Sequence, residues 1–401
     1  MGLFLKMKKY VLFGLLSFTL MQAQQKQVQR AAIGFMNVEN LWDIYPSADY
    51  IDGTLSPDNP AFHRSVLLDS LQYLPVTEEY RGEWSDEKLI GKKVVRKQIL
   101  SDDFTPLSPK KWDKKLYDDK MGRLAKVISD LGRKYTNTAP VIVGLIEVEN
   151  RQVVEELTKQ PALARYDYGV AHYNSYDARG IDVAIIYQKK RFLPIKISKK
   201  EMKIYREDGK REYTRDLLIV QGLLDGEKIA VIMNHWPSRR GGTASNPKRN
   251  AAAVYLKEEM DRLRAEIPGI KILAMGDFND DPDNESITKY LGAVGREKDL
   301  SETSPYFNPM WKLFKNGVAS YAYRDAPNMF DQIIMTKNLV QNKDKKTYAM
   351  FTTNIFAPSY LITDSGQYKG YPFRSWAGDQ YTGGYSDHFP AFTVLQREFS
   401  K

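Results

Sequence analysis

The sequence predicts an α/β protein folded as one large domain, and three observations carry that prediction. Short apolar runs dense in β-branched residues, the signature of buried strands, recur from Ala31 to Leu395. Segments with apolar residues at helical spacing lie between some of them, at about Asp113 to Lys134 and Lys248 to Arg264. No internal repeat and no low-complexity linker divides the 401 residues, a length with ample capacity for a core.

The first two dozen residues stand apart from that domain. Lys6, Lys8 and Lys9 precede an apolar stretch, Tyr10 to Met21, and Gln22-Ala23-Gln24 offers a small residue for cleavage. This reads as a secretory signal over 1–23, with the domain at 24–401 and export to the periplasm or the medium. The stretch is short of the ~20 residues that span a bilayer, and no later one approaches that length, so no membrane anchor is expected. The chain contains no cysteine, which excludes disulfides, thiolate zinc sites, a Cys nucleophile and a lipid-modified cysteine. Any metal must therefore be held by oxygen and imidazole. The net charge of +9 favours polyanionic partners such as nucleic acid, although a surplus of that size is also common on soluble surfaces. The 25 tyrosines supply rings that stack on bases or sugars as well as pack in the core. No feature calls for a protein partner.

Taken in order, Ala31 to Met36 reads as a strand ending at Asn37-Val38-Glu39-Asn40. The region from about 43 to 112 has no sustained period and reads as long loops or a decorating insertion, with His63 on its surface. Met121, Leu124, Val127, Ile128 and Leu131 then recur at helical spacing. Pro140 to Ile146 is a buried strand ending at Glu147, followed by a short helix near Gln152 to Leu157. Ile181 to Tyr187, Leu217 to Leu224 and Lys228 to Met233 read as further strands, the last ending at Asn234-His235. After the second long helix, ended by Pro268-Gly269, come strands at Ile270 to Met275, which stops at Gly276-Asp277, and at Phe330 to Met335. A long loop, about 357 to 384, mixes tyrosines with glycines and leads to Asp387-His388 and a final apolar strand.

Four of these strands stop at a residue able to bind metal or phosphate: Asn37, Glu147, His235 and Asp277. Two more begin with one, at Asp331 and at Asp387-His388. If the last two run antiparallel to the first four, all six lie at one rim. Strands often end at polar residues where the chain leaves the core, so each alone reads as a turn rather than a ligand. Together they include two of the four histidines. These residue types suit phosphate-ester hydrolysis, which needs a cation for the phosphoryl oxygens, a base for water and donors to hold the phosphate in line. Glu147 and Asp387 are hard oxygen ligands for Mg²⁺ or Mn²⁺, with Ca²⁺ a further hard cation; histidine supplies proton transfer, and Asp331 is placed to fix the tautomer of His388.

The ordered set Asn37-Val38-Glu39-Asn40, Ile146-Glu147, Asn234-His235, Gly276-Asp277-Phe278-Asn279, Asp331-Gln332 and Ser386-Asp387-His388-Phe389-Pro390 resembles the endonuclease/exonuclease/phosphatase superfamily, the group of deoxyribonuclease I, in an exported bacterial form. The resemblance implies a four-layer αββα sandwich of two mainly antiparallel or mixed sheets with the site at one rim. It implies Glu147 as principal metal ligand, Asn37 and Asp387 near the metal, and Glu39 as a further ligand. Asp277 and Asn279 would hold water and phosphate, His388 oriented by Asp331 would transfer protons, and His235 would contact the phosphate or act as a second acid or base. Arg179, in a segment similar to exported members, and Arg239 and Arg240 are candidates for binding substrate phosphates; the two adjacent arginines read equally as solvated charges. Asp182 and His172 read as structural. The segment 43–112 exceeds the family's usual connection at that point.

Three functions compete on this evidence. The first is a secreted metal-dependent nuclease, favoured by the signal segment, the basic surplus and the His235 motif. The second is a phosphomonoesterase or a phospholipid (sphingomyelinase-like) phosphodiesterase on the same scaffold, because fold does not fix substrate. The third is a non-catalytic binding protein, which an intact acid, base and metal set disfavours.

Overall fold

In a computed structural model, residues 27–45, 50–52, 88–90, 93–98, 103–175, 177, 179–205, 209 and 211–399 are described. The expected signal segment, His63 and most of 43–112 lie outside the described residues. Two mixed sheets face each other. The first, in spatial order, consists of β12 (Ala349–Ile355), β13 (Ala391–Phe399), β1 (Gln27–Leu41), β2 (Ile142–Val148), β4 (Asp182–Gln188) and β3 (Tyr168–His172). The second consists of β9 (Ala293–Val294), β10 (Tyr306–Phe307), β11 (Asp331–Thr336), β8 (Lys271–Asp277), β7 (Glu227–His235), β6 (Leu217–Leu224) and β5 (Phe192–Lys200).

Side chains alternate across each strand and so serve two cores at once. Ile33, Phe35 and Ile185 of the first sheet meet Val220, Val231, Met233, Leu273 and Ile333 of the second in the central layer. On the outer face of the first sheet, Met36, Val143 and Leu145 pack under α1 (Lys114–Asp130) and α2 (Arg151–Thr158). On the outer face of the second, Ile219, Ile232 and Ala274 pack under α3 (Asn246–Glu266). The result is the αββα sandwich. In α1, Asp113 caps the helix by accepting the Leu116 N–H at 3.0 Å, and Leu124, Val127 and Ile128 are fully buried. Each such burial contributes about 1.5–3 kcal/mol. Among the described residues, no helix is long and apolar enough to cross a membrane.

Five strands of the two sheets had no clear signal in the sequence: β3, β5, β9, β10 and β12. All but β10 are edges of their sheets, and β9 and β10 are two residues each. β5 and β12 are only partly buried along their length, so they lack the continuous apolar run that marks the central strands. The described part of 43–112 also departs from an irregular reading. Tyr50–Asp52, Lys93–Gln98 and Lys88–Ile90 form a small antiparallel sheet whose strands are too short to set a visible period.

Strand direction has the consequence that matters for function. β1 and β2 are parallel, as are β7 and β8, while β13 runs antiparallel to β1 and β11 antiparallel to β8. The ends of β1, β2, β7 and β8 therefore share a rim with the beginnings of β11 and β13.

Candidate active site

Register brings the polar residues together in two groups, one on each sheet. On the second sheet, His235 pairs with Asp277 across β7 and β8, and Asp277 pairs with Asp331 across β8 and β11. On the first, Asn37 pairs with Ile146, the residue before Glu147. Here the expected strand ends are corrected. β1 and β2 run on through Asn37 and Glu147, with register shifts between Asn37 and Leu41 and between Ile146 and Val148. Such bulges re-aim side chains at a sheet's rim. Glu39, Asn40, Glu147 and Asn279 all have positive φ (49°, 62°, 63° and 49°). Non-glycine residues rarely hold that conformation, and strain of this kind is retained where surrounding contacts impose it.

The best-defined contact is between His388 and Asp331. His388 Nδ1 lies 2.7 Å from Asp331 Oδ2, and both residues are buried. The imidazole stacks on Tyr321 with ring centroids 4.6 Å apart. Burial opposes the charged form of His388, but Asp331, Asp387 and Asp277 outweigh it and hold its pKa well above the usual value. Burial pushes the Tyr321 phenol up to about 12, helped by Asp387 and opposed by Arg374, so both charges lie beside that ring. Ser386 Oγ donates to the Asn37 carbonyl at 2.7 Å and accepts the His388 N–H at 3.1 Å, tying the start of β13 to β1.

Asp277 is buried, and burial pushes its pKa up to about 7; Asp331 and Glu147 add to the rise, while His388 opposes it. It accepts the Asn279 N–H at 2.7 Å, and Asn279 Nδ2 donates to the Trp236 carbonyl at 3.0 Å. His235 behaves oppositely to His388. Burial, with Arg215, Arg179 and His388 nearby, drives its pKa well below the ordinary imidazole value. It is therefore neutral, with Nε2 4.0 Å from Glu147 Oε1 and Nδ1 buried without a hydrogen-bond partner among the described residues.

Glu147 Oε2 accepts the Asn40 N–H at 3.1 Å and lies 3.8 Å from Arg179, whose guanidinium also donates to Asn40 Oδ1 at 2.7 Å. Glu39 is more committed. Its Oε2 accepts the Ser375 N–H and its Oε1 accepts from Arg374, while burial and Asp387 push its pKa up to about 7. Arg239 is held within the scaffold by the Asn279 carbonyl and by Asp280, Asp281 and Asn284, with its guanidinium 4.7 Å from the Phe330 ring. Arg240 is exposed and makes no side-chain contact with the cluster among the described residues. Asp182 accepts from Ser175 and lies 3.3 Å from His172, a buried pair apart from the cluster.

Sequence reading missed Lys120, Arg215, Tyr321, Arg374 and Ser375. Lys120 did leave a signal: Tyr117, Lys120, Met121 and Leu124 share one helical stripe, and a lysine within an apolar stripe marks a buried charge. It is fully buried against the Glu39 carbonyl, and burial lowers its pKa to about 8 against the pull of Glu39, Glu147 and Asp387. Arg215 donates to Asp177 Oδ2 at 2.9 Å and to the Trp236 carbonyl at 2.8 Å, bracing the turn beside His235. No local pattern distinguished it.

The donor set fits one kind of ion. Among the described residues no group of three or more His, Asp or Glu is arranged to hold a metal ion by itself. Glu147 and Asp387 instead offer carboxylate oxygens at the rim, and the buried Asn37 Oδ1, which accepts the Glu39 N–H at 2.8 Å, has one lone pair left. Such a set fits a hard divalent cation that keeps several waters and takes one or two carboxylates, and does not suit a fully protein-caged metal.

The backbone beside Asp277 leaves no room for change. Gly276 has φ +151°, and a Cβ there would fall 1.9 Å from the Asn234 carbonyl oxygen. Gly276→Ala is expected to destabilise the protein by roughly 2–5 kcal/mol, measured by chemical unfolding, and to displace Asp277.

A sequence model of the endonuclease/exonuclease/phosphatase family matches residues 93–397. No match was found among curated protein sequences. Similar solved structures include a humanized TDP2 from D. rerio, 15% identical, covering 71% of this chain and 93% of that one with a TM-score of 0.45. An endonuclease/exonuclease/phosphatase family protein of Bacteroides thetaiotaomicron is 13% identical, covering 93% of this chain and 100% of that one with a TM-score of 0.48. A mannosyl-6-phosphatase of the same organism is 15% identical, covering 69% and 92%, with a TM-score of 0.43.

Proposed function

The chain belongs to the endonuclease/exonuclease/phosphatase family, and from that premise we propose that it is an exported, divalent-metal-dependent phosphodiesterase that hydrolyses nucleic-acid phosphodiester bonds. The observation that carries the reading is a pair of buried groups at the rim, both raised above their ordinary range: His388, held protonated against Asp331 at 2.7 Å, and Asp277, poised near 7. Two groups with pKa values set apart in this way divide acid and base roles at neutral pH. Asp277 accepts the proton of the attacking water, with Asn279 beside it to orient that water. His388 donates its proton to the leaving alkoxide. Neutral His235 serves as a hydrogen-bonding group to the phosphate, and Arg179 adds positive charge next to Glu147. A divalent ion bound by Glu147, Asn37 and Asp387 would neutralise phosphoryl oxygens and the leaving oxygen. Preference for nucleic acid rests on the net charge, +9 for the whole chain and +6 once Lys6, Lys8 and Lys9 of the signal segment are removed, and on the exposed guanidiniums of Arg179 and Arg240.

The test is hydrolysis of supercoiled plasmid, single-stranded RNA, p-nitrophenyl mono- and diesters and sphingomyelin, with Mg²⁺ or Mn²⁺ and with EDTA. Plasmid nicking that EDTA abolishes supports the proposal. Activity confined to monoesters or to sphingomyelin retains the site and replaces the substrate. Glu147→Gln, which removes the principal carboxylate but keeps its shape, is expected to raise the Mg²⁺ concentration for half-maximal activity at least about tenfold, read by metal titration.

A further inference from the structure

The segment 361–385, which takes in most of the tyrosine- and glycine-rich loop of the sequence, is a fixed strap that carries one half-exposed guanidinium, that of Arg374. Its backbone is locked at several points. Tyr385 N–H donates to the Phe373 carbonyl at 2.7 Å and Thr382 N–H to the Ser375 carbonyl at 2.9 Å. The side chain of Trp376 sits among Phe104, Trp112 and Tyr381 at centroid distances of 5.5, 5.3 and 5.4 Å. Lys120 donates to Ser375 Oγ at 3.2 Å. Gly384 lies so close that a Cβ there would fall 1.9 Å from the Arg374 carbonyl oxygen. Held between these contacts, Arg374 directs its guanidinium to the rim.

That guanidinium is engaged along one edge only. Nε and Nη2 donate to Glu39 Oε1 at 3.3 and 3.2 Å, and Nη2 lies 3.6 Å from Asp387 Oδ2. Nη1 makes no hydrogen bond with the described residues, and the side chain is 54% exposed although its backbone is fixed. A guanidinium is planar, with donors on more than one edge, so carboxylates that hold one edge orient the other for a second anion. A counter-ion role alone does not account for this arrangement. Lys120 already supplies a fully buried positive charge to Glu39, Glu147 and Asp387, and a further counter-ion would have no reason to face solvent.

We propose that Arg374 is a substrate-binding residue whose free edge takes a non-bridging oxygen of the substrate phosphate beside Asp387. The inference rests on the phosphoester reading above, but not on nucleic acid as the substrate. Together with Arg179 next to Glu147, it brackets the carboxylates with two half-exposed guanidiniums and explains why an otherwise solvent-facing strap is anchored so firmly.

The experiment is titration of inorganic phosphate into the Mg²⁺-loaded protein by calorimetry, for the wild type, Arg374→Gln and Arg374→Lys. In parallel, KM and kcat are measured on bis-p-nitrophenyl phosphate, and the Mg²⁺ concentration for half-maximal activity is determined. Arg374→Gln is expected to weaken phosphate binding about 10- to 100-fold and to raise KM, with the Mg²⁺ requirement unchanged. Arg374→Lys keeps the charge and loses the fork, and should fall between the two; it also serves if the glutamine variant does not fold. Unchanged phosphate affinity with an altered Mg²⁺ requirement would reduce Arg374 to a counter-ion and overturn the inference, as would a wild type that binds no phosphate. Phosphate binding that depends on Arg374 in a protein that cuts no nucleic acid would keep this assignment and reject the nuclease.

Discussion

His388→Ala is expected to slow hydrolysis about 10²- to 10⁴-fold, the range for loss of a positioned proton-transfer group. It is also expected to destabilise the fold, because Asp331 is left as a buried carboxylate whose Oδ1 already lacks a partner. Removing one member of a buried pair costs about 3–5 kcal/mol. The two effects separate in the double variant His388→Ala/Asp331→Asn, which removes the unpaired charge. Its thermal stability should recover much of the loss while its activity stays low. Recovery of both would show that His388 acts only through the fold. The pair also sets a pH dependence. Because the folded pKa of His388 is raised, its contribution to stability is full below the unfolded value of about 6.5 and is lost as pH rises through the higher folded value. In unfolding measurements made across pH, His388→Ala should flatten that alkaline decline.

Asp277→Asn is expected to reduce activity by a similar 10²- to 10⁴-fold, while making the metal-free protein more stable at pH 8. The sign follows from the raised pKa. A buried carboxyl at about 7, against 3.8 in the unfolded chain, costs nothing in ionisation below 3.8; its stabilising proton is lost as pH rises from 3.8 through 7, and the loss is complete above that. The amide removes that cost, on the order of 4 kcal/mol at pH 8, and still accepts the Asn279 N–H through its oxygen. Chemical unfolding in EDTA at pH 4 and pH 8 measures it. The stabilising effect should be present at the higher pH and small at the lower. A variant that is inactive and less stable at both would indicate that Asp277 is ordinarily ionised and satisfied by its neighbours.

Much of the site was legible before any fold was known. Central strands announce themselves as apolar runs because both faces are buried, and four of them carry a residue of the cluster at or near the end: Asn37, Glu147, His235 and Asp277. The proposed antiparallel return of the last strands is what the register delivers, with Asp331 opposite Asp277. The edge strands β5 and β12 were not legible, since half-exposed strands carry no continuous signal; β3, though buried throughout, is only five residues long.

What the sequence by itself determined was therefore the chemistry available: which carboxylates, amides and histidines lie at or near strand ends, the absence of thiol ligands, and the order of motifs that the family shares. Only the tertiary structure decided how each group behaves. Two buried histidines shift in opposite directions, because burial, joined by Arg215 and Arg179, lowers the pKa of His235, whereas at His388 the Asp331 carboxylate outweighs the same burial. Arg239 is taken into the scaffold by Asp280 and Asp281, while Arg374, unremarkable in a loop of tyrosines and glycines, is carried to the rim by a strap anchored far from it in sequence. Proton affinity and hydrogen-bond commitment depend on burial and on neighbours from other strands, and a linear pattern does not encode those distances.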